Sequence, residues 1–355
     1  MSLNPQSALE SLLGRAPLHF DTAHLRALIN NKKILVTGAA GSIGSELCRQ
    51  IAQLNPASLI AFDQAETPLF YLDSEIRRTH PTLDFHPEIG DITRPDHLTN
   101  LFSRHKPSIV FHAAAYKHVP MMELHPFAAV ETNIFGTVEL ANAAISHHAE
   151  DFVLISSDKA VRPSSMMGAT KRVAEIFTRA LQPTTSTRFV SVRFGNVLSS
   201  SGSVIPIFEA QIAQGGPVTV THPEMRRYFM TIPEATSLVL EALTIGKGGE
   251  LFILDMGQPV SILALAEKMV QLSGRNIPIT FTGIRPGEKL FEELNLNTED
   301  LLSTPNARIK SYSTPQTLTL HQFQSALADL QRITNTQDRP ALVTLLKSLI
   351  PDYTP

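Results

Sequence analysis

From Lys32 onward, short β-branched apolar runs alternate with longer segments whose apolar residues recur every three or four positions. Runs of the first kind are typical of buried strands, and the longer period is typical of helices that cover a sheet with one face. This alternation predicts an α/β fold with a parallel sheet. We predict strands at Lys33–Val36, Ser58–Phe62, Leu83–His86, Ser108–His112, Phe152–Ser156, Arg188–Phe194 and Leu251–Leu254.

Composition and charge exclude several classes of protein. The chain has 355 residues, of which 43% are hydrophobic and 18% charged, as in a packed globular protein. Its formal net charge of -3 gives no electrostatic reason to expect a nucleic-acid partner. The single cysteine, Cys48, fits a reducing compartment. With neither a membrane-spanning apolar run nor a secretion signal, a cytoplasmic protein is expected. The histidines lack metal-ligand spacing, so no metal is expected.

A glycine-rich turn follows the first predicted strand. Gly38, Gly41 and Gly44 are spaced so that the backbone can turn tightly and approach a pyrophosphate at the N-terminus of a helix. Asp63 ends the next strand, where a carboxylate would bind ribose hydroxyls and repel a 2′-phosphate. We therefore predict a Rossmann-type, doubly wound parallel sheet that binds NAD rather than NADP. Further predicted cofactor contacts are Ser42, Ile43, Asp91, Ile92, Ala113, Ala115, Lys117, Asn133 and Lys171.

Two of these cofactor contacts have an alternative interpretation. Asp91 also fits an ordinary turn aspartate, and Lys117 also fits a solvated lysine.

After Gly195 the regular alternation of apolar segments gives way to stretches rich in glycine, serine and proline, which are typical of ligand-facing loops. Helical periodicity then returns over Glu234–Ile245 and Ile262–Leu272. We predict a helical leader (1–30), an NAD-binding domain (31–195 with 234–257) and a smaller, discontinuous C-terminal substrate lobe (196–233 with 258–355).

Acid–base candidates gather at the end of the fifth predicted strand. Ser157, Asp158 and Lys159 follow it directly. Lysine and aspartate ordinarily have pKa values of about 10.4 and 3.9. A pair in which Asp158 acts as an acid and Lys159 as a base needs a protonated Asp158 and a neutral Lys159, which is the reverse of their resting charges. Burial would favour both forms, because desolvation raises the pKa of a carboxyl and lowers that of an amine. The alternative is a solvated Asp–Lys pair in a loop.

Short motifs over nearly the whole chain resemble those of extended short-chain dehydrogenases/reductases that act on nucleotide sugars. They are TGAAGSIG, GDI, AAAYKHVP, ETNIFGT, SSDKAVRP, MGATKR, RFGNVLSSSGSVIPIF and RPGEKLFEEL. The similarity is greatest to bacterial polysaccharide-biosynthesis UDP-N-acetylglucosamine 4,6-dehydratases, in the subgroup with methionine at the catalytic tyrosine position. Many relatives carry transmembrane helices ahead of the catalytic region, and this chain resembles the soluble catalytic part.

The resemblance implies tightly bound NAD that is regenerated within each turnover of a UDP-sugar. Carbon 4 is oxidised, carbon 5 loses a proton, the 6-hydroxyl leaves as water and hydride returns to carbon 6. Asp158 is implied as the acid at the 6-hydroxyl and Lys159 as the base at carbon 5. Lys171 would hold the nicotinamide ribose. Met167 cannot transfer a proton and is expected to pack against substrate or nicotinamide. Our hypothesis is that Ser157 relays the 4-hydroxyl proton towards Lys171.

The substrate site needs donors for a diphosphate and a slot for a base, and arginine matches phosphate oxygens well. The predicted residues are Lys117, Asn196, Ser203, Val218, Thr219, Arg226, Arg285 and Glu288. Arg227 is interpreted as a solvated neighbour of Arg226. The resemblance also implies a homo-oligomer.

Two other functions stay open. A nucleotide-sugar 4-epimerase oxidises carbon 4 but needs no base at carbon 5, so Asp158 and Lys159 argue against it. A non-catalytic dinucleotide-binding sensor would explain Met167 and leave the second-lobe motifs unexplained.

Overall fold

The structure is a computed structural model and describes residues 22–294, 301–312 and 318–355. Most of the predicted helical leader therefore lies outside the described residues. Its last part forms helix α1 (Thr22–Ile29), which buries Leu25 and Ile29.

All the predicted strands are present, together with short strands that the sequence pattern did not predict. The strands are β1 (Lys33–Thr37), β2 (Ser58–Asp63), β3 (Phe85–Ile89), β4 (Ile109–His112), β5 (Asp151–Ile155), β6 (Arg188–Arg193), β7 (Asn196–Val197), β8 (Val218–Val220), β9 (Arg226–Arg227), β10 (Phe229–Met230), β11 (Leu251–Leu254), β12 (Val260–Ser261), β13 (Ile279–Phe281), β14 (Leu301–Ser303) and β15 (Ile309–Tyr312). The third strand starts later than predicted because the amide of Leu83 closes a turn on the carbonyl of His80.

In the described part of the chain, nine strands form one sheet in the order β14-β15-β11-β6-β5-β4-β1-β2-β3. The strands from β11 to β3 run parallel, and β15 pairs antiparallel with both β11 and β14. The chain reverses its direction of winding between β1 and β4, where a doubly wound sheet opens a crevice at the carboxyl ends of its strands. The predicted Rossmann-type fold is confirmed.

Helices cover both faces of this sheet. After α1 they are α2 (Ser42–Ala52), α3 (Glu66–Thr79), α4 (Pro95–His105), α5 (Val119–Leu124), α6 (Pro126–Ala129), α7 (Gly136–Ser146), α8 (Met166–Leu181), α9 (Val204–Ala213), α10 (Ile232–Ile245), α11 (Ile262–Ser273), α12 (Leu320–Thr336) and α13 (Arg339–Leu349). A π-helical turn, Val130–Phe135, joins α6 to α7. Helices α1, α2, α3 and α10 pack into the core on one face, and α4, α7, α8, α12 and α13 pack into the core on the other. No helix among the described residues is long and apolar enough to span a membrane.

The short strands and helices α9 and α11 form a smaller unit with its own apolar core, which includes Ile205, Phe208 and Leu265. The end of the chain does not join this unit, although the sequence pattern placed 258–355 there. Strands β14 and β15 extend the main sheet, and α12 packs on α8 through Phe177 and Phe323, whose ring centroids lie 4.9 Å apart. The rest of the predicted domain division stays a prediction.

The turn after β1 depends on the absence of a side chain at Gly38, and this yields a stability prediction. Gly38 has φ +67°, and a Cβ atom there would lie 2.5 Å from the amide nitrogen of Ala114. Gly274 has φ +66° with open space around it, so Gly274→Ala should lose only the roughly 1–2 kcal/mol of a left-handed alanine. Gly38→Ala should lose clearly more, because the backbone after β4 must also move. Urea midpoints of both variants test this, and equal losses would contradict it.

Candidate active site

The crevice between β1 and β4 opens at the carboxyl ends of the first four strands. Its lining includes Gly38, Gly41, Phe62, Asp63, Gly90, Asp91, Ile92, Ala113, Ala114 and Ala115. Glycine and alanine at the closest points leave room for a flat ligand against the backbone. The structure thus brings together most of the residues predicted to contact a dinucleotide.

The glycine-rich turn is shaped by close backbone contacts. A Cβ at Gly44 would lie 2.0 Å from the carbonyl oxygen of Gly38, so α2 can approach the turn only with glycine at this position. No side chain among the described residues caps α2, and its first amide groups are therefore available to an anion. The Asp63 carboxylate accepts from the amides of Ala40 at 2.8 Å and Ala65 at 2.9 Å, which fixes it at the rim of the crevice. This arrangement fits a dinucleotide.

Other predicted cofactor contacts have structural partners. Asp91 accepts from the amide of Thr93 at 2.8 Å, as a turn aspartate does, while still lining the crevice. Ile92 is buried against Gly136. The hydroxyl of Ser42 accepts from the amide of Ser201 at 3.0 Å, which brings the start of α2, including Ile43, next to the loop before α9.

The side chain of Asn133, a predicted cofactor contact, forms hydrogen bonds within the protein. It is 1% exposed and exchanges two hydrogen bonds with the backbone of Tyr116, at 2.8 and 3.0 Å. Its amide also donates to the hydroxyl of Thr170 at 3.0 Å. Asn133 therefore ties the loop after β4 to α8 and positions both Lys117 and Lys171.

Asp158 and Lys159 lie in a short 3-10 turn directly after β5. The Asp158 side chain is fully buried, and its Oδ1 atom accepts from Lys159 Nζ at 2.9 Å and from the hydroxyl of Ser157 at 3.0 Å. Its Oδ2 atom has no hydrogen-bond partner among the described residues. A Cβ at Gly195 would lie 3.2 Å from this oxygen, so a larger residue there would crowd it.

Lys159 is held by groups from distant parts of the chain. Besides Asp158, its ammonium donates to Asn196 Oδ1 at 3.1 Å and lies 3.6 Å from Glu292 Oε1. Arg227 is 6% exposed and lies 3.8 Å from the same Glu292 oxygen, while it donates to the carbonyls of Arg226, Lys289 and Leu290. The interpretation of Arg227 as a solvated residue is wrong, since β9 turns its side chain inward.

Glu292 is the group that reasoning from the sequence missed. It belongs to the quoted motif RPGEKLFEEL, in which only Arg285 and Glu288 were singled out. Burial raises the pKa of its carboxyl, against the opposing charges of Lys159 and Arg227. Hydrogen bonds from Ser164 to the carbonyl of Gly287 and from Lys289 to the carbonyl of Val161 hold this segment beside the 3-10 turn.

The pKa of Lys159 moves in the opposite direction from the one expected. Burial acts to lower it, but the nearby charges of Asp158 and Glu292 outweigh burial and raise it. The predicted direction is wrong for the free protein, because the expectation left out the charges of these two carboxylates. At rest Lys159 and Asp158 form an ion pair.

Lys171 is the lysine whose pKa is lowered. It is 5% exposed, and it makes no hydrogen bond or ion pair with the described residues. Burial lowers its pKa to about 8. Met167, one helical turn earlier, is 2% exposed and belongs to the apolar core, and its packing against substrate or nicotinamide stays a prediction. The hydroxyl of Ser157 donates its hydrogen bond to Asp158 and not to Lys171.

The residues predicted to bind the substrate have different surroundings in the structure. Asn196 accepts a hydrogen bond from Lys159. Burial lowers the pKa of Lys117, and the nearby charge of Lys159 lowers it further. Arg285 pairs with Glu288 at 3.2 Å, Arg226 is exposed, and the hydroxyl of Ser203 is buried without a partner among the described residues. Val218 is fully buried in the small core, and the hydroxyl of Thr219 accepts from the side-chain amide of Gln211 at 2.7 Å.

The fold and the glycine-rich crevice define a Rossmann-type protein of the extended short-chain dehydrogenase/reductase kind. The chain belongs to the polysaccharide biosynthesis protein family, whose model matches residues 34–313.

Known proteins of the same kind are similar over most of this chain. The probable polysaccharide biosynthesis protein EpsC of Bacillus subtilis is 52% identical over 289 residues, which are 80% of this chain but 48% of EpsC. This chain thus spans about half the length of EpsC. A UDP-glucose 4-epimerase of Rickettsia canadensis is 34% identical over 281 residues, 76% of this chain and 79% of that protein. The X-ray structure of Pen from Bacillus thuringiensis is 36% identical with a TM-score of 0.76, covering 81% of this chain and 91% of that one.

The buried, unpartnered ammonium of Lys171 predicts an unusual stability profile. Its folded pKa of about 8 lies below the roughly 10.4 of an unfolded lysine, so the unfolded chain binds more protons between these values and stability rises with pH across that window. Lys171→Met removes this cost and should raise the unfolding temperature at pH 7. The gain should shrink as pH increases from 8 to about 10.4.

The matched control for this variant is Lys347→Met, which changes an exposed helical lysine. Its unfolding temperature should stay close to that of the parent protein at every pH. A loss of stability in Lys171→Met at pH 7 would contradict the prediction.

Proposed function

We propose that the protein is an NAD-dependent 4,6-dehydratase of a UDP-sugar, with UDP-N-acetylglucosamine as its substrate. The observation that carries this proposal is the pair of buried Asp158 and half-buried Lys159 at the carboxyl end of β5, next to the crevice. Abstraction of a proton from carbon 5 and expulsion of the 6-hydroxyl need one base and one acid side by side. Asp158 and Lys159 supply them 2.9 Å apart.

The crevice would hold NAD. Gly38, Gly41 and Gly44 allow a pyrophosphate to reach the amides of α2, and Asp63 would meet the adenosine ribose. When bound, NAD supplies the hydride acceptor for carbon 4 and the hydride donor for carbon 6. Lys171, buried and unpartnered within the described structure, would bind the nicotinamide ribose and, as a neutral amine, would accept the 4-hydroxyl proton.

The resting ion pair and the working acid–base pair contain the same number of protons. Moving one proton along the 2.9 Å hydrogen bond from Lys159 to Asp158 converts an ammonium and a carboxylate into an amine and a carboxylic acid. Binding of a sugar removes water from the pair, which favours the neutral forms over the charged ones. The raised pKa of Lys159 therefore describes the free protein and is compatible with a base in the complex.

Asp158 has a free oxygen for the leaving group. Oδ1 is occupied by Lys159 and Ser157, whereas Oδ2 has no partner in the described part of the chain. A half-turn of the carboxyl group about its Cβ–Cγ bond would exchange the two oxygens and present the proton received from Lys159 to the 6-hydroxyl, and the water formed would carry it away. Asn196, Lys117 and the Arg285–Glu288 pair would bind the nucleotide diphosphate around this centre.

A nucleotide-sugar 4-epimerase is the second candidate, because a UDP-glucose 4-epimerase is 34% identical to the chain. An epimerase returns hydride to carbon 4 and needs neither an acid at carbon 6 nor a base at carbon 5. The Asp158–Lys159 pair would then have no chemical role.

The test is to incubate the purified protein with UDP-N-acetylglucosamine in deuterated water and follow the sugar by NMR. A dehydratase should convert the 6-hydroxymethyl group into a methyl group and incorporate deuterium at carbon 5. Lys159→Met should abolish the deuterium incorporation while NAD stays bound. Formation of UDP-N-acetylgalactosamine would instead identify an epimerase, and unchanged substrate would argue against both.

A further inference from the structure

Glu292 has a buried carboxyl group without a hydrogen bond, which is a costly arrangement. Its side chain is 4% exposed, its Oε2 atom has no partner among the described residues, and its Oε1 atom lies beyond hydrogen-bond distance of both neighbouring cations. The groups that face it are Lys159 and Asp158 from the turn after β5, Arg227 from β9 and Lys289 from its own segment. A role in packing alone would be served by an uncharged residue.

The hydrogen bonds of Lys159 show what this carboxylate can do. An ammonium has three donors, and two of them are used by Asp158 and Asn196. Once Asp158 carries the proton for the 6-hydroxyl, it is neutral and accepts more weakly than before. Glu292 is then the remaining carboxylate within 4 Å of Lys159 Nζ among the described residues, at 3.6 Å.

We propose that Glu292 is a positioning residue that takes over as the carboxylate partner of Lys159 when Asp158 becomes the proton donor. The amine of Lys159 then donates its two hydrogens to Asn196 and Glu292, and its lone pair faces carbon 5 of the sugar. When Lys159 takes the carbon-5 proton and Asp158 gives its proton to the leaving hydroxyl, the original ion pair is restored. This inference rests on the proposed function, since it assumes Lys159 as the base.

The experiment compares Glu292→Gln with Glu293→Gln. Both variants replace a glutamate by its amide in the same segment, but Glu293 is more exposed and pairs with Arg162 and Lys289 away from the centre. With UDP-N-acetylglucosamine, Glu292→Gln should oxidise carbon 4 at the parent rate but lose water from carbon 6 about ten- to a hundredfold more slowly, the effect of one charge-assisted hydrogen bond. Reduced nicotinamide should therefore accumulate, with KM unchanged.

Each outcome of this comparison decides the role of Glu292. Glu293→Gln should behave as the parent protein. If Glu292→Gln slows carbon-4 oxidation and water loss equally, or slows neither, Glu292 does not serve Lys159 in the elimination step and the inference is overturned.

A second measurement is independent of the sugar. The rate at which a small acylating reagent modifies Lys159 is followed by mass spectrometry as a function of pH. Loss of the Glu292 charge should move this profile to lower pH in Glu292→Gln but not in Glu293→Gln. If the parent protein dehydrates the sugar and the profile does not move, the inference fails. If the profile moves and no sugar is dehydrated, the coupling of Glu292 to Lys159 stands and the proposed function fails.

Discussion

The ion pair between the half-buried ammonium of Lys159 and the fully buried carboxylate of Asp158 places the strongest constraint on this structure. A charge largely removed from water is tolerated only when opposite charges and hydrogen bonds surround it, and for Lys159 they come from the turn after β5, from Asn196 in β7 and from Glu292 in the segment before β14. Arg227 balances the second carboxylate. The main sheet and the smaller unit are thus joined by paired charges as well as by apolar contacts, and the position of each element follows from the need to keep those charges paired.

The crevice obeys a steric constraint of a different kind. Backbone atoms of the turn after β1 and of the loop after β4 approach so closely that a Cβ at Gly38 would meet Ala113 and Ala114. Asn133 fixes the same loop to α8 from the other side. Helix α8 carries Lys171. The glycine-rich turn and this second lysine of the site are therefore connected through the loop after β4 and the hydrogen bonds of Asn133. The two halves of the candidate site are therefore rigidly related before any ligand binds.

Features that depend on local sequence could be predicted, whereas those that depend on spatial neighbours could not. The apolar runs identified the parallel strands, and the spacing of Gly38, Gly41 and Gly44 identified the crevice. Strands β14 and β15 were missed because they are short and partly exposed, without alternation. Arg227 was expected to be solvated because two adjacent charged residues normally face water. Glu292 was not singled out because it is one of several charged residues in the stretch that contains LFEEL. The direction of the pKa shift at Lys159 likewise required knowing that two carboxylates lie within 4 Å of it.

Met167 acquires a physical explanation from the surroundings of Lys171. The two residues share one face of α8, and both are buried. The phenol of a tyrosine at that position would have a pKa of about 10, so it would need a neighbouring cation to act as a base at neutral pH. Burial instead lowers the pKa of Lys171 itself to about 8, and the apolar thioether contributes to that burial without offering a strong hydrogen bond. Methionine thus leaves the lysine nitrogen free for a ligand, so that loss of the phenol need not mean loss of proton transfer.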